Sequence, residues 1–387
     1  MRQRKRIRNP LFHSGAPTER PIVAGYSYKD FDDRKLTDPL VHYGRHFGRT
    51  VRTFCRTQAL LRNGLGRAMQ LELGRISLDD PQKEQGVYER LLAMVPGLEE
   101  RLNTGTDEEF FYAADMITRG ASSARADDTK SLKVAIVEWI TPPNGILSPP
   151  IQRNVKTDRG FHHPVTGRLL CPVNLNWGSL ELREALASGV LVPSADLWPR
   201  FLYQNEEYYE ENPWKGLFRN SLLVKGFKHV FTSPSSVYKE GVSRATKCSN
   251  AQRHGMKCVT PASIAYIATQ IRFALSSSPA FSRSDITTNS EYFYNLVIEL
   301  LEDPEEHAEV QDLLAWWNMM IFPATNQPSQ ELHEESVFCK IKDRRRQLQA
   351  TDAANRGDIP SSANEPASKA GESNKVSAGG PDTVDVE

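Results

Sequence analysis

The sequence predicts a mainly α-helical protein with one irregular insertion, on three observations. Apolar residues recur at steps of three, four and seven over long stretches, the period of a helix with one buried face. Asp-Pro, Asn-Pro and Thr-Pro pairs stand at the start of several stretches, each joining a side-chain cap to a proline at the first helical position. One stretch, 141–177, holds six prolines and three glycines and excludes long helices. The expected organisation is a basic disordered arm at 1–35, a single large helical domain at 36–325 with the Pro/Gly-rich insertion at 141–177, an amphipathic helix at 326–349 and a disordered acidic tail at 350–387.

Asp38-Pro39 opens the first helix, with Leu40, Tyr43, Phe47, Val51, Phe54, Leu61 and Leu65 on one face. Gly44 and Gly48 weaken it, and either admit a closely packed neighbour or mark a break. A second helix spans Gly86 to Leu102, interrupted at Pro96-Gly97. Thr106 caps a third that runs to Arg119, with Asp107, Glu108 and Glu109 in its positive first turn. Ser122 to Lys130 reads as a polar linker, and Leu132 to Ile140 as a strand or a short buried helix. Within the insertion, Phe161 to Leu170 reads as a small β-hairpin about Pro164. Ser179 and Gly189 bound a short helix. Asn212-Pro213 starts a helix to Phe231, and Thr260-Pro261 one to Ser277 that is apolar nearly all round and therefore central. Asn289 and Asp303-Pro304 start two more, with Glu306 placed for a capping box. A last amphipathic stretch runs from Ser329 to Arg346.

Charge is segregated. Lys+Arg and Asp+Glu are equal at 48, yet residues 1–75 hold 16 basic and 6 acidic side chains, whereas 281–387 hold 9 and 20. A basic front suits an anionic partner and an acidic tail suits solvation. Five cysteines in loose spacing, with no C-x-x-C, argue against a disulfide framework. No apolar core follows the basic start, so no signal peptide is expected, and no run approaches the length of a membrane span. The compartment expected is the nucleus or cytoplasm.

Candidate binding residues follow from that charge. Arg2, Arg4, Lys5, Arg6 and Arg8 form a basic cluster of the kind that neutralises phosphate or directs nuclear import. Arg45, Arg49, Arg52 and Arg56 fall on the face opposite the apolar stripe of the first helix. Lys340, Lys342, Arg344, Arg345 and Arg346 form a second cluster. Trp198, Phe201, Tyr203, Tyr208, Tyr209 and Trp214 crowd into seventeen positions, suited to stacking or to a protein hot spot, and also to a core. His162, His163 and Cys171 are weak metal candidates, because adjacent residues of a strand point to opposite faces. No hydrolase, metalloprotease, Walker or dinucleotide motif occurs, so neither a catalytic residue nor a cofactor is assigned.

Several strings are longer than chance supplies. Asn154-Val155-Lys156-Thr157-Asp158-Arg159-Gly160-Phe161-His162-His163 leads to Leu170-Cys171-Pro172. Asn212-Pro213-Trp214, Gly216-Leu217-Phe218-Arg219, Phe227-Lys228-His229-Val230-Phe231 and Thr260-Pro261-Ala262-Ser263-Ile264-Ala265-Tyr266 follow. From Tyr43 to Pro323 the chain resembles an uncharacterised helical domain family greatly expanded in mushroom-forming fungi. The resemblance implies one fungal helical domain continuous through the insertion, and it implies no activity. The function expected is non-enzymatic: binding of nucleic acid or an acidic protein through the basic N-terminal region. The alternatives are an enzyme or metal-binding protein with a site around His162, His163, Cys171 and His229, and a self-associating helical scaffold.

Overall fold

The computed structural model describes residues 38–75, 83–238, 249–284, 289–323, 336–337 and 340–348. Helix α1, Pro39–Thr50, begins where expected: Pro39 takes the first position and the Asp38 carboxylate accepts the Leu40 N–H at 2.8 Å. It does not run on to Leu65. The Thr53 N–H donates to the Tyr294 hydroxyl at 3.2 Å and the Thr53 hydroxyl to the Gly48 carbonyl. These bonds replace the helical ladder, and α2, Thr57–Glu72, starts afresh. Helices α3, Lys83–Met94, and α4, Leu98–Thr104, flank the expected break, where Gly97 adopts φ +74°.

Helix α5, Asp107–Ile140, corrects the linker and the possible strand at once. Thr106 and Glu109 close a full capping box at its start. Its 34 residues span about 51 Å at the usual rise. The polar segment 122–130 contains no proline or glycine and includes Ala124 and Ala126, so nothing in it stops a helix once both ends are packed.

The expected hairpin is also absent. Gly160–His162 is a 3₁₀ turn, and α6, Pro164–Leu170, is helical. His163 caps α6: its Nδ1 accepts the Val165 N–H at 3.1 Å while Nε2 bonds the Pro149 carbonyl at 2.8 Å. Pro164 is thus a helix start and not a hairpin turn. No strand forms among the described residues, only isolated bridges at Pro172–Pro199 and Tyr203–Leu217.

The insertion is pinned by two buried cations. The Arg159 guanidinium donates to the carbonyls of Lys133, Ala274, Gln152 and Arg153. The Lys156 ammonium sits 3.2 Å above the Phe273 ring centroid and donates to the Phe273 carbonyl. Directly after Arg159 the chain passes so close to Ser277 that a Cβ on Gly160, at φ +66°, would lie 3.0 Å from it.

Helix α7, Leu180–Ser188, has its Ser179 cap and its left-handed Gly189 end. The helix expected from Asn212 is shorter: 212–219 is a turn, and α8, Ser221–Phe227, is capped by Asn220 and continues as a π turn through Thr232. After α9, Asn250–Arg253, comes α10, Pro261–Leu275, with 13 of its 15 residues buried, which makes it the central helix. Helices α11, Ser290–Leu301, and α12, His307–Ile321, follow. Glu306 forms no capping box; its carboxylate accepts the Trp214 indole N–H at 2.6 Å. One apolar core joins α1–α4 to the first half of α5, and a larger one surrounds α10. Residues 340–348 form an exposed helix in a separate unit of the chain. No helix among the described residues is long and apolar enough to cross a membrane.

Candidate anion-binding cleft

The four arginines expected on one solvent face do not share one. Arg45 and Arg49 lie on α1, Arg52 in the turn after it, and Arg56 at the start of α2. Arg45 pairs with Asp127 at 2.7 Å, and Arg52 lies 3.9 Å from Glu302. Arg49, 3% exposed, donates from Nε and Nη2 to both oxygens of Asp128 at 2.7 and 2.8 Å. The Tyr266 hydroxyl donates to the same carboxylate at 2.6 Å. Burial disfavours the Arg49 cation, but Asp128 and Tyr266 more than offset it and raise the Arg49 pKa. Asp127 and Asp128 therefore diverge, one to the surface and one into the core. Of the four arginines, only Arg56 is exposed and outside any ion pair among the described residues.

The remaining candidates scatter. Arg2, Arg4, Lys5, Arg6 and Arg8 lie outside the described residues. Lys340, Lys342, Arg344, Arg345 and Arg346 are exposed, with Arg346 on Asp343 at 3.2 Å. His162 is exposed, whereas His163 is buried with both ring nitrogens bonded. Cys171 is fully buried, and burial pushes its thiol pKa up. No group of three His, Cys, Asp or Glu among the described residues is placed to hold a metal ion. His229 meets the Ser131 hydroxyl at 2.5 Å and the edge of Trp139, and burial lowers its pKa. No carboxylate hydrogen-bonds this pair among the described residues, so it lacks the orienting group of a triad.

A lining with cations and no carboxylate occurs elsewhere. A cleft of about 360 Å3 runs beside the middle of α5. Ser122, Arg125, Ala126, Thr129, Lys130 and Lys133 form one wall, and Phe273, Pro279 and Phe281 form the other. At about 100° per residue those α5 positions fall within an arc of about 140°. The lining carries three cations and no carboxylate. Arg125 is half-buried, its guanidinium 5.4 Å from the Phe54 centroid and 5.7 Å from that of Phe281. Burial lowers the Arg125 pKa, and its one hydrogen-bond acceptor among the described residues is the Thr53 carbonyl at 3.4 Å. Lys133 reaches the Asn154 carbonyl at 3.4 Å, and Lys130 is exposed.

Another cleft, of about 620 Å3, is lined by Phe54, the ring that lies against the Arg125 guanidinium. Arg52, Arg56 and Arg283 line it, but so do Glu84 and Glu291, and Arg283 pairs with Glu291 at 2.7 Å. Cys55 is there too, its thiol pushed up to about 11 chiefly by burial. Its cations are largely matched, so the α5 cleft is the stronger anion site. Sequence reading missed that cleft because the linker expected at 122–130 hid the helical spacing of Arg125, Lys130 and Lys133.

Fold and cleft together define a helical protein with a basic, aromatic-walled groove between its longest helix and the segment after its central one. Residues 119–322 match the model described as Family of unknown function (DUF6698), and the chain belongs to that family. Every residue lining the α5 cleft lies within the match. Residues 43–118, included in the resemblance read from the sequence, lie outside it. No curated protein and no solved structure matches the chain.

Proposed function

We propose that this is a non-enzymatic binding protein whose α5 cleft takes the phosphates of a single-stranded nucleic acid. The observation that carries the reading is the imbalance within one cleft: Arg125, Lys130 and Lys133 with no carboxylate in the lining. The neighbouring rings of Phe54 and Phe281 hold the Arg125 guanidinium in place, and a preoriented guanidinium suits an oxygen-rich anion. This reading puts the site in the middle of the chain, although the excess of basic residues lies in the first 75. Partners of this kind place the protein in the nucleus or cytoplasm.

Electrophoretic mobility of labelled single-stranded DNA and RNA at two salt concentrations tests the reading. Retardation at low salt that fades at high salt is the expected result. Free migration at low salt contradicts it, and retardation equalled by an acidic polypeptide competitor at matched charge shifts the partner to a protein.

A further inference from the structure

Beyond the two clefts beside Phe54 and Phe281, the aromatic-rich segment singled out in the sequence builds a third cavity, opposite in charge to the anion cleft. Its volume is about 620 Å3. Trp198, Tyr203, Tyr208 and Trp214 stand around it, and Asp196 and Glu306 supply carboxylates; its lining contains no lysine, arginine or histidine.

The rings are fixed. Tyr203 and Tyr208 meet edge to face at 5.4 Å. The Tyr203 carbonyl accepts the Asn220 amide at 2.7 Å, and Gln204 and Gly216 join the two chain segments at 2.8 Å. Trp214 donates its indole N–H to the Glu306 carboxylate. Nearby cations are engaged: Arg219 with Asp312, Arg168 with Glu206, and Lys215 lying 3.5 Å above the Tyr209 ring.

Four aromatic rings and two carboxylates, with no competing cation in the lining, are complementary to a cation that carries apolar bulk. A phosphate is repelled there, and an unsubstituted ammonium keeps too much hydration to gain fully from the rings. The cavity is larger than one ammonium head group needs, which leaves room for neighbouring residues of a chain. We infer that this cavity binds a methylated lysine side chain presented by a partner polypeptide. The inference is independent of the anion cleft.

Tryptophan fluorescence and calorimetry with the full chain test it. The probes are one short peptide carrying trimethyllysine, the same peptide with lysine, the same with an uncharged tert-butyl isostere of trimethyllysine, and free tetramethylammonium. The trimethyllysine peptide is expected to bind more tightly than its neutral isostere by about 2- to 30-fold, the range of a cation over aromatic rings. Glu306→Gln, which keeps the bond to Trp214, and Tyr208→Ala, which removes one wall, each weaken the trimethyllysine peptide selectively; unchanged thermal melting shows that both variants fold. Equal affinity for the neutral isostere overturns the inference, as does no binding of any peptide at millimolar concentration. Tetramethylammonium binding as tightly as the peptide overturns the polypeptide source and leaves a small quaternary amine as the ligand.

Discussion

Asp128 accepts two hydrogen bonds from Arg49 and one from Tyr266, and so joins α1, α5 and α10 at one carboxylate. All three side chains are buried or nearly so. Burial, then Asp128, holds the Tyr266 pKa well above its ordinary value, so the phenol stays a donor. Breaking such a unit is worse than deleting it, because a lone buried charge keeps its desolvation cost. Asp128→Asn is therefore expected to cost about 3–5 kcal/mol in chemical denaturation. The paired change Arg49→Met with Asp128→Leu is expected to cost less than Asp128→Asn alone. The reverse order would show that the pair contributes more than its removal of an uncompensated charge. The sequence displayed Arg49 and Asp128 plainly, but not that they meet. A periodicity reading sets a charged side chain in water, and only the crossing of two distant helices brings this one inside.

The crossing of α1 and α5 rests on the absence of side chains at three positions. A Cβ on Gly44 would lie 2.3 Å from the Ile117 carbonyl oxygen, one on Gly48 2.8 Å from the Ala121 Cβ, and one on Gly120 2.2 Å from the Val41 carbonyl oxygen. Close packing was one of the two readings open for Gly44 and Gly48, and at these positions the packing outweighs the helix propensity lost. Gly44→Ala is expected to lower stability by about 1–3 kcal/mol, the usual range for overpacking. Gly86, within α3, faces open space, so Gly86→Ala is expected to raise stability by about 0.5–1 kcal/mol. Thermal or urea midpoints of the two variants check the signs, and equal signs would contradict the packing account. Helix starts marked by a cap and a proline were legible, as at Asp38, Thr260 and Asp303. Helix ends and continuations were not. At 51–56 the ladder is replaced by bonds to Tyr294 and Gly48, partners that no local window contains. At 122–130 a polar run stays helical because each end of α5 is packed.

Across the whole molecule, the stacked rings of His46 and His254 predict how stability depends on pH. Their centroids are 4.3 Å apart with 4° between planes. Burial, then His254 and Arg49, holds His46 down to about 3. Burial, then Arg49 and His42, holds His254 down to about 4. An unfolded histidine titrates near 6.5, so between that pH and the folded values the unfolded chain binds more protons. Stability is then present above pH 6.5 and falls as pH drops toward 4, by up to ~1.4 kcal/mol per pH unit for each ring. Denaturation midpoints from pH 7 to pH 4.5 check this, with His46→Gln expected to flatten the slope; an unchanged slope would contradict it. Charge segregation along the chain was legible in composition, but it did not point to the α5 cleft. Of Arg45, Arg49, Arg52 and Arg56, the first three form ion pairs with the molecule's own acids, and the cleft whose lining holds cations and no carboxylate is built from the middle of the sequence. The most direct test of the anion cleft is fluorescence anisotropy of a labelled single-stranded oligonucleotide across a salt series. The wild type, Lys130→Ala with Lys133→Ala, and Lys257→Ala outside the cleft are compared. Three contacts predict a slope of log K against log salt of about −2 for the wild type and for Lys257→Ala, and the loss of about 0.7 unit per lysine removed from the cleft. A double variant that binds like the wild type, with the same slope, would contradict the account.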